Sequence, residues 1–314
     1  MSVPTNFTLP WQNVVFTFAS VPSFPLYVAI VVLIVVRRQS NDKYRSTFYN
    51  LVLSLGIADI VTMLQAFLLQ ILRTSFIAPE FYWENRAWLA PFSWNWATFT
   101  VSLRCFGSTL IAYQRYLIIG WGTQHVHRKI LHLNFPTVFL LHWLPPILLN
   151  MPIFLDWSKT LAGPMDMMVV ASPQQNYLAI VINGISTAVL FFICIFPYVQ
   201  IFRILLKVKS SDGRSFGREL RLSVTPLAQS ICFLIICFTY TSLYIFTAMK
   251  SPLASVTVTY MLLLNALLSY WNPWIYLFLN ADIQQELRQL ICPVAPIAGP
   301  TQATISTAPR RNVS

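Results

Sequence analysis

Seven apolar blocks of about twenty residues or more limit this chain more than any other feature. They run Val14 to Val36, Thr47 to Leu72, Trp94 to Ile119, Phe135 to Leu155, Leu178 to Leu206, Ser223 to Met249 and Val256 to Asn280. A helix of that length crosses about 30 Å of hydrocarbon, whereas the strands of a membrane barrel are roughly ten residues long and alternate. The 314 residues are 56% hydrophobic and 10% charged, and a soluble domain of that size could not cover so much apolar surface. The expectation is an all-α membrane protein: one seven-transmembrane helix bundle over residues 14–290, with a short segment 1–13 before it.

Basic residues set the expected orientation, because short cytosolic loops retain Lys and Arg. With the N-terminus outside, the inner segments hold Arg37, Arg38, Lys43 and Arg45; Arg115, Arg128 and Lys129; Arg203, Lys207, Lys209, Arg214, Arg218 and Arg221; and Arg288, Arg310 and Arg311. Those are sixteen, against Arg73, Arg86, Lys159 and Lys250 outside. The C-terminus is therefore expected in the cytosol. The net charge of +11 reads as a topology signal with some attraction to anionic membrane lipid, and nucleic acid needs no part in it. Residues 1–13 show no cleavable signal pattern, so the first helix is expected to direct insertion itself. Of two glycosylation sequons, at Asn6 and Asn312, only Asn6 should then meet the glycosylation machinery.

Four cysteines, Cys105, Cys194, Cys232 and Cys237, fall within the apolar blocks, and Cys292 follows the last. None lies in an outer loop, so no extracellular disulfide is expected. Cys292 is either a palmitoylation site or an idle thiol. Ile283, Leu287 and Leu290 recur at helical spacing in residues 281–290, as in an amphipathic helix lying on the inner membrane face. The tail, 291–314, is rich in Pro, Ala, Thr and Ser and is expected to be disordered.

No internal repeat, phosphate-binding loop, dinucleotide fingerprint, nucleophile elbow or zinc-protease helix is present. His125, His127 and His132 lack carboxylate or Cys partners at ligand spacing, so no metal site or cofactor is expected and the chain does not read as an enzyme.

The seventh block contains Asn272-Pro273-Trp274-Ile275-Tyr276, N-P-x-x-Y. Proline there removes one backbone hydrogen bond, and a buried amide must be satisfied by neighbours. The second block carries Leu53 to Asp59, "LSLGIAD", and the third ends in Gln114-Arg115-Tyr116. With the helix after the seventh block, these four landmarks in order resemble a rhodopsin-like G-protein-coupled receptor. Phe24-Pro25-Leu26-Tyr27, "STFYNLVLSLGIADI", "QRY" and "NPWIY" are similar to the nematode serpentine chemoreceptors of the Srg superfamily, most nearly class V, Srv. The resemblance implies a chemosensory receptor at the plasma membrane, as in a sensory cilium, that binds a small molecule or peptide and activates a heterotrimeric G protein. Arg115, Tyr116, Pro273 and Tyr276 would then belong to the activation and G-protein face. The chain departs from the wider pattern in four places. Ala90 stands where a Cys is usual, Gln114 replaces an acid, helix one lacks its usual Asn, and helix six lacks a Cys-Trp-x-Pro.

Arg104 lies eleven residues before Arg115, about 16 Å along a helix and hence near the bilayer centre, and Asp59 is at about the same depth. A charge there is a functional hypothesis by default. In the resembled receptors the Asp of helix two and the residue at the place of Arg104 help bind sodium. Here Arg104 is expected to pair with Asp59, with Asn272 and Ser269 completing the hydrogen bonding; the alternative is a snorkelling arginine that never touches Asp59. Thr98, Tyr240, Tyr244 and Tyr260 lie at depths compatible with an outer ligand pocket, but the simpler reading of each is a helix-contact or interfacial residue. "FYWENRAWLAPFSWNW", from Phe81, reads as an aromatic outer loop. A ligand-gated channel or solute transporter using the intramembrane charges is the rival class.

Overall fold

The computed structural model describes residues 11–121, 133–164, 166–170, 173–208, 231 and 234–291. Where described, all seven apolar blocks are helical up to their last residues, Leu155, Met249 and Asn280 ending just outside their helices. α1 is Trp11–Ser40 and α2 is Thr47–Thr74, with a π-helical segment at Ala66–Ile71. A short α3, Pro79–Glu84, precedes α4, Arg86–Trp121, and α5 is Phe135–Phe154. Then come α6, Pro173–Val208, α7, Leu234–Ala248, α8, Leu253–Leu279, and α9, Ala281–Ile291. The first part of the sixth block, Asn6, the three inner-loop histidines, Cys292 and Asn312 lie outside the described residues.

Among the described residues, α1, α2, α5 and Ile180–Ile204 of α6 are long and apolar enough to cross a membrane. Their burial differs: two-thirds (67%) of the apolar window of α2 is buried, against 28% for α1 and for α5. Thus α2 sits inside the bundle, while α1 and α5 present Phe18, Val21, Leu140 and Leu148 outward, as lipid-facing surfaces do. α4 packs along α2, α5 and α6, and α1 along α2 and α8. α4 is buried on several sides, and among its buried residues are the polar Asn95, Thr100, Ser102, Arg104 and Ser108.

Local chemistry explains several boundaries. Asn134 Oδ1 caps α5 by accepting from the Thr137 N–H at 3.0 Å, and Asn280 Oδ1 starts α9 by accepting from the N–H groups of Asp282 and Ile283. The chain leaves α2 through Phe76 and Ala78, both at positive φ (55° and 53°), a strained conformation for residues with a Cβ. Gly56 is required by contact: a Cβ there would lie 2.8 Å from Val31 Cγ2 and 3.4 Å from the Tyr27 ring.

The end of the bundle near residues 74–86 differs from the sequence expectation. The aromatic stretch from Phe81 is not a loop, since α3 and the first turns of α4 take it up. Over it folds an antiparallel hairpin, β1 (Thr160–Gly163) and β2 (Asp166–Val170), pairing Thr160 with Val170 and Leu161 with Val169. Leu161 and Met167 point inward and pack with Tyr82, Leu89 and Ala90. Burial of these side chains makes helix and strand out of sequence whose composition suggested a loop. Cys105, Cys194 and Cys237 are free thiols.

Candidate functional site: a buried polar core

Asp59 is fully buried in α2. Its Oδ2 accepts from the Tyr27 hydroxyl of α1 and from Asn272 Nδ2 of α8, each at 2.7 Å. Arg104 of α4, 3% exposed, donates from Nη1 to Ser269 Oγ of α8 at 2.6 Å and from Nε to the Thr100 carbonyl at 3.2 Å. The two charges meet loosely, with Arg104 Nε 4.0 Å from Asp59 Oδ1. Among the described residues, Asp59 Oδ1 and Arg104 Nη2 have no hydrogen-bond partner. Four helices are therefore tied together by a buried network that leaves one acceptor and one donor open.

The proline helps to shape it. Pro273 has no N–H to give the carbonyl of Ser269, four residues earlier, so α8 loses a backbone bond at the turn that presents Ser269 and Asn272. Trp274 Nε1 donates to Ser23 Oγ of α1 at 3.0 Å, bracing the same turn. Nearer the other end of α8, Asn265 Nδ2 donates to the Ala97 carbonyl of α4 at 3.1 Å. Ser102 donates to Asn183 Oδ1 of α6 at 2.7 Å.

A second buried cluster joins α2, α4 and α5. His142 Nε2 lies 2.9 Å from the Leu103 carbonyl, and its Nδ1 lies 2.8 Å from Ser54 Oγ. A carbonyl oxygen only accepts, so Nε2 carries the proton, and in the neutral imidazole Nδ1 then accepts from the serine hydroxyl. Ser54 Oγ in turn accepts from Trp143 Nε1 at 3.2 Å. Gly107 makes room: a Cβ there would stand 2.5 Å from His142 Nε2.

At the other end of α4, the Arg115 guanidinium lies over the Phe48 ring of α2, 3.6 Å from its centroid. This is a cation–π contact within the bundle. Tyr116 packs edge-on against Tyr113 and Phe196, and Tyr276 is buried beside Tyr27.

The four residues expected around an outer pocket do not meet. The Thr98 hydroxyl donates to the carbonyls of Trp94 and Asn95 in its own helix. Tyr240 is buried with Cys105, Ile236 and Leu243. Tyr244 is exposed and shares a hydrogen bond with Tyr177 at 3.2 Å, and Tyr260 is exposed beside Trp11. Counting along a helix gives depth but not azimuth: Tyr260 is five residues from the inward Asn265, about 140° round α8. A cavity of about 840 Å³ between α1, α7 and α8 is apolar, lined by Ala19, Pro22, Leu264, Trp271 and Phe278 among others, and none of the four lines it.

Sequence reasoning also missed partners. Tyr27 and Thr100 bond directly to the charged pair, and His142 carries the second cluster. A histidine in an apolar block was a signal for the latter, but a tyrosine and a threonine in such blocks are ordinary. In the absence of the helix-one Asn, the donor from α1 to Asp59 is Tyr27.

Long apolar helices around a buried, charged polar core define a multi-pass membrane protein. The chain belongs to the serpentine type 7TM GPCR chemoreceptor Srv family, which matches residues 16–292. No curated protein matches it.

Proposed function

We propose that this chain is a chemosensory receptor that spans the plasma membrane seven times, N-terminus outside and C-terminus in the cytosol. It binds an external small molecule or peptide and activates a heterotrimeric G protein by a shift between two helix packings. The family match supports the receptor class. The observation that carries the mechanism is the network around Asp59 and Arg104, which joins α1, α2, α4 and α8 yet leaves Asp59 Oδ1 and Arg104 Nη2 unbonded. A rotation of α4 or α8 that closed the 4.0 Å contact would trade the Ser269 bond for a tighter ion pair, so the core is suited to being satisfied in two ways.

In this reading Arg115 leaves the Phe48 ring to meet the G protein, and Tyr116, Tyr276 and the Pro273 turn move with it. The test is agonist-independent and agonist-screened G-protein activation in membranes of expressing cells, with Arg115→Ala and Tyr276→Ala compared at equal surface expression. Loss of activation in either variant is expected. Ion current or saturable solute flux with no G-protein signal would instead select the channel or transporter reading.

A further inference from the structure

A cavity of about 560 Å³, apolar over most of its wall but with several polar side chains on it, opens where the end of α1, the turn before α2 and the start of α5 converge. Its volume is within the range of small-molecule sites, roughly 300–1,000 Å³. Arg38, Arg45, Asn50 and Asn134 are among its lining residues, and among the described residues no carboxylate lines it. Among the described residues the Arg38 guanidinium has no ion-pair partner, and it leans on the Phe135 ring, 5.4 Å from the centroid. Arg45 is folded over the end of α1, donating from Nε to the Arg38 carbonyl at 2.8 Å and from Nη2 to the Gln39 carbonyl at 3.3 Å. Its ion pair with Asp42, at 3.1 Å, is exposed on both sides and so is heavily screened. Asn134 caps α5, which brings the positive end of that helix dipole to the same cavity.

Asn50 adds a different specificity. It is fully buried, and its Nδ2 is spent on the Leu133 carbonyl at 2.7 Å. Its Oδ1 has no hydrogen-bond partner among the described residues. Two guanidiniums and a helix N-terminus call for a phosphate, and an open buried acceptor calls for a hydroxyl donor beside it. Val35, one turn before Arg38 on α1, lines the cavity and is exposed, continuing into the exposed Val32. Apolar surface thus begins where the positive charge ends.

From this the geometry points to a binding site for the headgroup of an anionic phospholipid that carries both phosphate and ring hydroxyls, of the phosphatidylinositol phosphate class. The guanidiniums of Arg38 and Arg45 hold the phosphate, Asn50 Oδ1 accepts from a hydroxyl, and the acyl chains follow the valines of α1. In the orientation proposed above, this end lies in the leaflet rich in anionic lipid.

The full chain is reconstituted in phosphatidylcholine nanodiscs with and without a phosphatidylinositol monophosphate, and retained lipid is counted by native mass spectrometry. Both leaflets carry the lipid and neither agonist nor G protein is present, so the result stands apart from the receptor reading. Arg38→Gln and Arg45→Gln should each weaken retention by about fivefold. Arg203→Gln, an exposed charge elsewhere on α6, should leave it unchanged. Fluorescence-detected size exclusion checks folding; should an arginine variant fail there, Asn134→Asp keeps the cap, adds a negative charge at the cavity and should weaken retention comparably. Equal loss in Arg203→Gln would reduce the effect to diffuse leaflet attraction and overturn the site. Displacement of the lipid by inorganic phosphate as readily as by the soluble inositol phosphate would also overturn it, in favour of a plain anion site.

Discussion

Individual residues in this bundle are costly to change when their polar atoms have nowhere else to turn. Asp59→Asn removes the carboxylate that, among the described residues, lies beside Arg104, and should destabilise the protein by about 3 to 5 kcal/mol, because the remaining charge stays buried. Arg104→Met should cost less, since Tyr27 and Asn272 still hold Asp59. Equilibrium unfolding in detergent micelles should show the double variant losing less than the two singles together, by about 0.5 to 3 kcal/mol. Strict additivity would mean that the 4.0 Å contact contributes nothing. Gly107→Ala should displace His142 and lose about 1 to 3 kcal/mol through its stranded hydrogen bonds. Gly163→Ala, where a Cβ would meet nothing within 4 Å, should stay within about 0.5 kcal/mol of the parent by the same measurement.

Whole elements depend more on burial than on the charges that decorate them. α9 is held to α1 and the turn before α2 by Arg37–Glu286 at 2.6 Å and Lys43–Asp282 at 2.5 Å. Beneath these pairs Ile283 is fully buried and Leu287 nearly so, whereas Leu290 of the expected apolar stripe is exposed. Hydrogen exchange over Ala281–Ile291 should therefore barely change in Arg37→Gln, which removes at most about 1 kcal/mol. Ile283→Ala should cost about 2 to 5 kcal/mol and release the helix. At the hairpin, burial pushes the Asp156 carboxyl up, but the Ser158 hydroxyl and N–H and the Lys159 ammonium outweigh it and hold it below the usual carboxylate range. A depressed value in the folded state means stability that is present above the unfolded carboxylate range and fades as pH falls through the folded value. Exchange at Ser158 should accordingly quicken relative to Leu161 on acidification, and Asp156→Asn should abolish that dependence.

At the scale of the molecule, the proposed orientation predicts that Asn6→Gln removes a glycosidase-sensitive mass from the surface-expressed protein while Asn312→Gln leaves it unchanged. How much of this architecture the sequence disclosed follows the strength of the underlying physics. Apolar block length maps directly onto helices, and mid-block charges are so expensive that Asp59 and Arg104 stand out by type and depth; the N-P-x-x-Y motif and the resembled sodium site add Asn272 and Ser269, and all four lie in one network. Thr98, Tyr240, Tyr244 and Tyr260 were chosen as polar or aromatic residues at a suitable depth, and neither type nor depth says which way a side chain turns. The hairpin was illegible because its two strands are only four and five residues long and owe their form to Leu161 and Met167 packing under Tyr82. The π-helical segment at Ala66–Ile71 carries a different kind of consequence. It accommodates one residue more than an α turn, so every later position in α2 is rotated by about 100° from where counting would put it. A relative without that insertion would need a one-residue gap within Ala66–Ile71 before its remaining residues lined up with the same faces. Position-by-position alignment across α2 would otherwise pair inward side chains of one chain with outward side chains of the other.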